Sequence, residues 1–280
     1  MKAVNADAAA LSVLMALTGP RAFAQSLMVG SPAVVIDDRT RTGALTLIND
    51  GIAPVEVSVS TFCGYPVTDS IGQMYLRTFA TVDDTMPCAA RWIQSFPRRL
   101  RVEAKSRATV RLLVTPPTGL PPREYWARLV VAAKVGQVPV GGLADTSSIQ
   151  ARLDLEIRSV VGLFYRKGSP HTGVSLERLR GEVEGDSLVG RTLLTREGDA
   201  AFVGSLKAVL RDPTGKVRSQ SQLPLGVYYA LEPRFTLPVA DLPAGSYELS
   251  VEAVSSRPDL AADLLLPIVP VQQSVRVVLP

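Results

Sequence analysis

The sequence predicts an all-β chain built as two antiparallel β-sandwiches. Short apolar runs rich in valine, isoleucine and leucine recur along the chain, and glycine or proline turns separate them. No stretch after the N-terminal leader has the 3.6-residue apolar period of an amphipathic helix. A length of 280 residues suits two domains of this kind better than one.

Residues 1–24 have the features of a secretory signal peptide. Lys2 supplies the positive start, Ala8–Leu17 the apolar run, and Ala22-Phe23-Ala24 the small-x-small cleavage site. The run is too short to span a bilayer, and no later stretch is apolar for long enough to do so. We therefore predict an exported protein that is not an integral membrane protein.

The first domain is predicted over residues 25–168. Before its last strand, the expected strands are Ala33–Ile36, Ala44–Ile48, Val55–Phe62, Met74–Phe79, Trp92–Phe96, Ala108–Val114 and Tyr125–Ala133. The rest of the segment between Cys63 and Cys88 is expected to be irregular. Residues 135–146, which hold three glycines, are expected to form a loop.

The last strand of this domain, Ser148–Lys167, has the clearest pattern in the chain. Its apolar residues alternate with polar or charged ones, so that one face is apolar; they are Ile149, Ala151, Leu153, Leu155 and Ile157. After Ser159 apolar residues lie on both faces, which indicates entry into a covered position. Such a strand is either an ordinary sandwich strand or one that lends its apolar row to another protein.

The second domain is predicted over residues 169–280, after the turn Gly168-Ser169-Pro170. Its expected strands are Leu188–Thr195, Val203–Leu210, Lys216–Leu223, Gly226–Leu231, Arg234–Val239, Ser246–Val254 and Gln273–Leu279. A short repeat supports the division, because Leu120-Pro121 precedes Tyr125 with the same spacing as Leu242-Pro243 precedes Tyr247. A tyrosine there is typical of the corner of immunoglobulin-like sandwiches.

The charges and cysteines limit the kinds of partner. The formal net charge is +4, and because the basic residues are scattered, nucleic-acid binding is not predicted. In an exported chain the two cysteines, Cys63 and Cys88, most simply form a disulfide, although two free thiols are the alternative. Together with the single histidine, His171, they do not make up a usual structural zinc site.

The sequence contains no recognisable catalytic motif. His171 lies in a predicted linker, and neither a nucleophile elbow nor a nucleotide-binding loop is present. The acid pairs Asp37-Asp38 and Asp83-Asp84 lie in predicted turns, where solvated acids are common; a glycosidase-like carboxylate pair is the alternative. We predict no enzyme activity, no metal and no cofactor.

Several segments together resemble the periplasmic pilus-assembly (fimbrial) chaperones of the chaperone–usher pathway. Over residues 27–168 the matching segments are Thr42–Asn49, Phe96–Leu100, Ala108–Leu112, Pro121–Tyr125 and Leu163–Arg166. In the second domain, Leu194–Gly198 and Gly226–Tyr229 resemble a divergent, archaic-type branch of the family. The resemblance implies two immunoglobulin-like domains set at an angle.

The resemblance also implies a function for the long strand. In these chaperones the last strand of the first domain completes a pilin or fimbrial subunit that lacks a strand, and the subunit then passes to an outer-membrane usher in the periplasm. By alignment on Leu163–Arg166, the donated side chains are Leu153, Leu155 and Ile157, with Ile149 and Ala151 extending the row. Glu124 and Arg166 align with members of an interdomain salt bridge.

Two positions depart from the family pattern. The family holds the subunit's terminal carboxylate with a lysine and an arginine, but the lysine position here is Gly162 and the arginine position is near Pro32 or Ala33. Arg158, Arg166 or Lys167 are substitutes within reach. The Cys63–Cys88 pair is also not where long-loop members of the family have their disulfide.

Two other functional classes compete with this interpretation. A structural pilus subunit or adhesin should carry a donor extension before its first strand, and Gln25–Gly30 is short for one. An exported carboxylate enzyme should instead bring an acid pair such as Asp37-Asp38 or Asp83-Asp84 into a cleft.

Overall fold

The structure is a computed structural model that describes residues 27–83, 85–140 and 151–280. Side chains are described outside 135–140 and 151–154. The predicted signal peptide, Ile149 and Asp84 lie outside the described residues. Strands account for nearly all the regular structure, with two short 3₁₀ turns at Ala90–Trp92 and Ala262–Leu264. The predicted all-β class is confirmed. No helix in the described ranges is long and apolar enough to cross a membrane.

The first sandwich contains ten strands in two sheets. They are β1 (Leu27–Val29), β2 (Ala33–Asp37), β3 (Thr42–Asn49), β4 (Val55–Thr68), β5 (Met74–Phe79), β6 (Ile93–Phe96), β7 (Arg99–Val102), β8 (Ser106–Val114), β9 (Arg123–Val140) and β10 (Ala151–Lys167). One sheet has the order β1-β3-β8-β6; the other has the order β2-β10-β9-β4-β5, with β7 also on β4. The inward rows of both sheets form the core, with Leu47, Leu129 and Leu163 fully buried.

The second sandwich has its own core. Its strands are β11 (Thr172–Glu184), β12 (Ser187–Gly198), β13 (Phe202–Arg211), β14 (Val217–Val227), β15 (Ala230–Leu231), β16 (Arg234–Pro238), β17 (Gly245–Val254) and β18 (Val271–Leu279). One sheet has the order β11-β12-β15, with β16 on β12, and the other β14-β13-β17-β18. The two cores share no residue, since one is drawn from residues 34–165 and the other from 174–279. Gly168, with φ +71°, makes the turn between them.

Several sequence-based expectations about the elements are wrong. β4 continues past Cys63 to Thr68, and β9 continues through the predicted loop to Val140, because each pairs along its length with a neighbouring strand. β11 was not predicted at all. It contains a bulge between Glu177 and Arg180, with Arg178 at φ +54°, which breaks the alternation of its apolar residues.

Both predicted tyrosine corners are present. The Tyr125 hydroxyl donates to the carbonyl of Pro121 at 2.9 Å, and the Tyr247 hydroxyl donates to that of Pro243 at 2.8 Å. Each hydrogen bond connects a turn to the start of the strand that follows it, β9 or β17. The same interaction therefore fixes equivalent crossing loops in the two domains.

Removing either corner hydroxyl should destabilise its own domain modestly. Tyr125→Phe and Tyr247→Phe should each lower the free energy of unfolding by about 1 kcal/mol, because each variant loses one partly buried hydrogen bond. Urea unfolding measures this, with Tyr75→Phe as the control, since Tyr75 is 52% exposed. Equal midpoints for all three variants would show that the corners contribute nothing.

Cys63 and Cys88 form a disulfide with a Cα–Cα distance of 5.9 Å. It ties β4 to the segment before the first 3₁₀ turn, which also pairs with β9: Trp126 N donates to Pro87 O at 2.7 Å, and Ala89 N donates to Trp126 O at 2.8 Å. The disulfide therefore holds this segment against the part of β9 that faces the second domain.

Loss of the disulfide should destabilise the first domain. The variant with both Cys63→Ala and Cys88→Ala should lose about 3 kcal/mol, since the unfolded chain is no longer constrained by the closed loop. Urea unfolding of the wild type in reducing buffer should match that of the variant. A variant as stable as the oxidised wild type would contradict the expectation.

Candidate functional site

β10 has one fully paired edge and one edge that is paired only at its end. It runs antiparallel to β9 along its whole length, apart from a bulge between Asp154 and Glu156. On the other side it pairs in parallel with β2, but only from Gly162 to Arg166. Among the residues that the structure describes, nothing pairs with this second edge from Ala151 to Val161. This unpaired stretch is called the free edge below.

The free edge begins where the chain before β2 changes sheet. Gly162 N donates to Pro32 O at 2.9 Å, but Pro32 has no N–H group with which to continue the ladder. Two residues earlier, Gly30 N already donates to Thr46 O in the opposite sheet at 2.8 Å. Because the chain crosses to the other sheet at Ser31 and Pro32, the part of β10 that precedes Gly162 has no neighbour on this side among the described residues.

The direction of the backbone groups on the free edge follows from the same bond. The amide of Gly162 points away from β9 toward β2. Because successive amides of a strand point to opposite sides, those of Val160, Arg158 and Glu156 also point away from β9. These groups are open to a further strand, as at any sheet edge.

An apolar row runs along β10 and leaves the core at the free edge. Val161, Leu163 and Tyr165 are buried in the first core. In the same row, Ile157 and Leu155 are 46% and 45% exposed. Ala151 and Leu153 also lie on this strand, but the structure does not describe their side chains. Ile149 lies outside the described residues. The predicted row is thus exposed where the structure describes it.

The opposite face of β10 has a different role. Val160 is 45% exposed on that face, and beyond it Phe164 packs against the second domain. Together with Ala33, Trp126, Ala201 and Tyr228 it forms a small apolar cluster between the domains. The ring of Trp126 meets that of Tyr228 edge-on, with centroids 4.7 Å apart.

Glu124, which is buried, and Arg166, which is largely buried, form an ion pair beside this cluster. Arg166 Nε donates to Glu124 Oε2 at 2.9 Å, and both residues belong to the first domain. The contacts to the second domain are made with its backbone: Ala201 N donates to Glu124 Oε1 at 3.0 Å, and Arg166 Nη2 donates to Leu264 O at 2.8 Å. The pair is therefore not itself an interdomain bridge, but each partner reaches across.

The Glu124 carboxylate is almost completely buried, at 1% exposure. Burial raises the pKa of Glu124, while Arg166 acts in the opposite direction. Trp126 Nε1 donates the remaining hydrogen bond to Oε1, at 2.9 Å. The carboxylate thus joins both domains and the ring of Trp126 in one network.

A second contact between the domains involves the turn between β4 and β5. Arg234 N donates to Gly72 O at 2.9 Å, and Glu232 N donates to Thr68 Oγ1 at 3.0 Å. Arg191 Nη2 donates to Ser70 O at 3.0 Å. The two domains are consequently joined at two separated places.

Of the three residues named as substitute carboxylate anchors, Arg166 belongs to the ion pair with Glu124, and the other two lie elsewhere. Arg158 Nε donates to Glu156 Oε1 at 2.6 Å on the exposed surface of the same strand. Lys167 Nζ donates to the carbonyl of Leu120 at 2.5 Å, next to the tyrosine corner. Neither side chain lines the cavity beside Gly162.

That cavity is instead lined by an arginine that sequence reasoning missed. Arg128 on β9 is the register partner of Gly162, and it is 9% exposed. A Cβ atom at Gly162 would lie 3.2 Å from Arg128 Nη1, so the guanidinium extends over the glycine. The signal available in the sequence was a charged residue within the otherwise apolar strand from Tyr125 to Ala133.

The first acid of each pair, Asp37 or Asp83, acts as a turn residue. Asp37 accepts hydrogen bonds from the backbone of Thr40 and Arg39, which lower the pKa of its exposed carboxyl. Hydrogen bonds from Thr85 likewise lower the pKa of Asp83, and the Thr85 hydroxyl makes the largest contribution. His171 contacts Asp199, with Nδ1 3.3 Å from Oδ1.

The residues that could bind a metal are dispersed. Within the described ranges no three histidine, cysteine, aspartate or glutamate side chains gather closely enough to hold a metal ion.

Comparison with known proteins gives structural likeness only. No family model and no curated protein matches the chain. Among solved structures it is similar to the YadV chaperone, with 15% identity, a TM-score of 0.44, and 90% of this chain and 99% of that chain covered. It is also similar to the SafB chaperone in complex with the SafA pilin from Salmonella enterica. This match has 16% identity and a TM-score of 0.43, and it covers 90% of this chain and 97% of that chain.

A third similar structure is the complex of CsuC with the tip subunit CsuE, from archaic chaperone–usher pili of Acinetobacter baumannii. It has 12% identity and a TM-score of 0.44, and the match covers 90% of this chain and 97% of that chain. These identities and scores are too low to assign a function. The function is therefore argued from the geometry of the free edge.

Proposed function

We propose that this chain is a periplasmic chaperone that binds pilin-type subunits by donating β10. The observation that supports the proposal best is the coincidence of two features on one strand. The free edge offers unpaired backbone groups, and the exposed Leu155 and Ile157 belong to the row that is buried further along. A subunit whose sandwich lacks a strand needs both features from its partner.

The energetics suit a reversible complex. Covering the exposed halves of Leu155 and Ile157 should contribute roughly 1 kcal/mol each, and backbone hydrogen bonds along the free edge add to this. The remaining apolar positions predicted for the row, Ile149, Ala151 and Leu153, would extend the contact. Such a complex holds a subunit without nucleotide and yields it to a better-fitting strand.

The rest of the molecule supports this use of the strand. The same β10 carries Phe164 and Arg166, which contact the second domain, so the donated strand is fixed at one end by both sandwiches. The predicted signal peptide supports a location in the periplasm, where a subunit would pass to an outer-membrane usher. Both delivery to an usher and location are part of the proposal.

Co-expression tests the proposal. The full-length chain is produced with pilin-type subunits from the same genome, each with its N-terminal extension deleted so that subunits cannot complete one another. A stable one-to-one complex from the periplasmic fraction is the expected result. If every subunit aggregates equally with and without the chain, or if the chain instead elutes as a dimer that pairs through β10, the proposal is wrong.

A further inference from the structure

The end of β4 and the whole of β5 form a hairpin, residues 63–79, that extends beyond the first sandwich. β9 pairs with β4 up to Phe62, and after that residue the partner of β4 is β5. A two-stranded hairpin is only marginally stable by itself in water. Its base is held by the disulfide and by Arg128, whose Nε donates to Gly64 O at 3.0 Å. Its side and its tip are supported by the second domain.

Tyr65 brings an aromatic ring of the hairpin against the second domain. Its ring centre lies 5.0 Å from that of Phe79 in the same hairpin. It lies 5.9 Å from the ring centre of Tyr228 and 5.0 Å from that of Tyr229, both in the second domain. Such distances are typical of packed aromatic pairs, so the side of the hairpin is in contact with the second domain.

Gly72 lets the tip of the hairpin approach the second domain closely. Arg234 N donates to its carbonyl, and a Cβ atom at position 72 would lie 2.9 Å from both the Cβ and the backbone N of Arg234. Cβ atoms essentially never approach other atoms so closely, so a side chain here would push the turn away from the second domain. The turn itself is shaped by Asp69, whose Oδ1 accepts from Ile71 N at 3.0 Å and Gln73 N at 2.8 Å.

Three arginines of the second domain lie in one row next to this turn. Arg180, Arg191 and Arg234 are register partners on β11, β12 and β16. Like charges in such positions repel one another. Glu232 offsets the repulsion, because its Oε1 lies 2.7 Å from Arg180 Nη1 and its Oε2 lies 3.7 Å from Arg191 Nη2. Arg191 Nη2 is thereby held where it donates to Ser70 O in the turn.

The tip of the hairpin and the Glu124 network contact different parts of the second domain. The tip contacts residues on and around β12 and β16, whereas Glu124 accepts from Ala201 N, just before β13. Domains joined by a short turn and a small interface commonly move relative to each other. A single contact beside the turn at Gly168 would allow rotation, whereas two contacts at different places fix the orientation.

We propose that the tip of the β4–β5 hairpin is a latch that fixes the orientation of the second domain, and that it opens while the Glu124 network and both sandwiches stay intact. Gly72 provides the close approach, and Glu232 orients Arg191 toward the turn. The inference goes beyond the proposed function and is tested on the free chain, so it stands or falls separately. Because β10 carries Phe164 and Arg166 into the contact between the domains, the latch also sets how the second domain lies beside that strand.

Hydrogen exchange of the full-length chain tests the latch. In Gly72→Ala, the amides of Glu232 and Arg234, which donate to the hairpin, should exchange about tenfold faster or more. The amide of Ala201, which donates to Glu124, should exchange as in the wild type. Gly119→Ala is the matched control, because Gly119 also has a positive φ, +76°, but a Cβ there would meet no atom of the described residues within 4 Å. It should change exchange at the same amides by less than about twofold.

Thr68→Val is a second variant that keeps glycine in the turn and removes only the acceptor of Glu232 N. It should also speed exchange at Glu232, while the core amides of Leu129 and Leu206 stay protected. If Gly72→Ala deprotects these core amides as well, Thr68→Val alone decides. Unchanged exchange at Glu232 in Thr68→Val, or equal exchange in Gly72→Ala and Gly119→Ala, would overturn the latch. Equal acceleration at Ala201 would overturn its independence from the Glu124 network.

Small-angle X-ray scattering of the same proteins tests the orientation itself. The wild type and Gly119→Ala should each fit one arrangement of the two domains, and Gly72→Ala should require a range of arrangements. A Gly72→Ala curve that superimposes on the wild-type curve, while the amides of Glu232 and Arg234 exchange faster, would show that the hairpin touches the second domain without setting its orientation.

Discussion

Replacing Ile157 with aspartate is expected to weaken binding of a pilin-type subunit by about 100-fold or more, by adding a buried charge to the loss of apolar contact. Ile157 is 46% exposed in the free chain, so the substitution should change the stability of the chaperone itself little. Leu155→Asp should act in the same direction. Recovery of soluble subunit from co-expressing cells, followed by titration of the purified partners, measures the effect.

Val160→Asp provides a matched control for this prediction. Val160 lies on the same strand, belongs to the same free edge and is 45% exposed, but its side chain points to the opposite face. A donated strand inserts one face into the groove of its client, so Val160→Asp should retain most of the affinity. Equal losses for Val160→Asp and Ile157→Asp would show that the apolar row has no special role.

Removing the Glu124 carboxylate should have the largest effect on folding. Glu124→Ala leaves the largely buried Arg166 without its counter-charge and leaves Ala201 N without an acceptor, and breaking a buried pair in this way typically costs about 3–5 kcal/mol. Urea unfolding followed by tryptophan fluorescence is suited to the measurement, because Trp126 donates to the same carboxylate. The variant should unfold at lower urea, and its interdomain turn should be cleaved faster by protease.

Glu103→Ala is the control for the removal of a glutamate. Glu103 pairs with Arg101, but both side chains are more than half exposed, at 66% and 62%. Such a pair contributes about 0–1 kcal/mol. If Glu124→Ala shifted the unfolding midpoint no more than Glu103→Ala does, the buried network would not stabilise the contact between the domains.

The sequence predicted those features that depend on residues close together in the chain. Strict alternation predicted both the long strand β10 and the face that leaves the core at Leu155 and Ile157. The repeated spacing of proline and tyrosine predicted the corners at Tyr125 and Tyr247, since the hydrogen bond of each closes over only four residues. These features depend on neighbours in the chain, so they can be read from it.

Features that depend on pairing across the chain were not predicted. β11 was missed because the bulge at Arg178 interrupts its period, and the extension of β9 to Val140 was missed because only its partner β10 stabilises it. Arg128 was missed for the same reason. Arg128 and Gly162 are far apart in the sequence. Only the register of β9 and β10 brings them together.

Hydrogen exchange of the backbone amides of β10 tests strand donation most directly. In the free chain, the amides of Glu156, Arg158 and Val160 should exchange fast because they point away from β9, whereas those of Ile157 and Ser159 should be protected by β9. Binding of a subunit should protect the first three amides and leave the other two as they were. A complex that forms while Glu156, Arg158 and Val160 continue to exchange at their free rates would contradict the account.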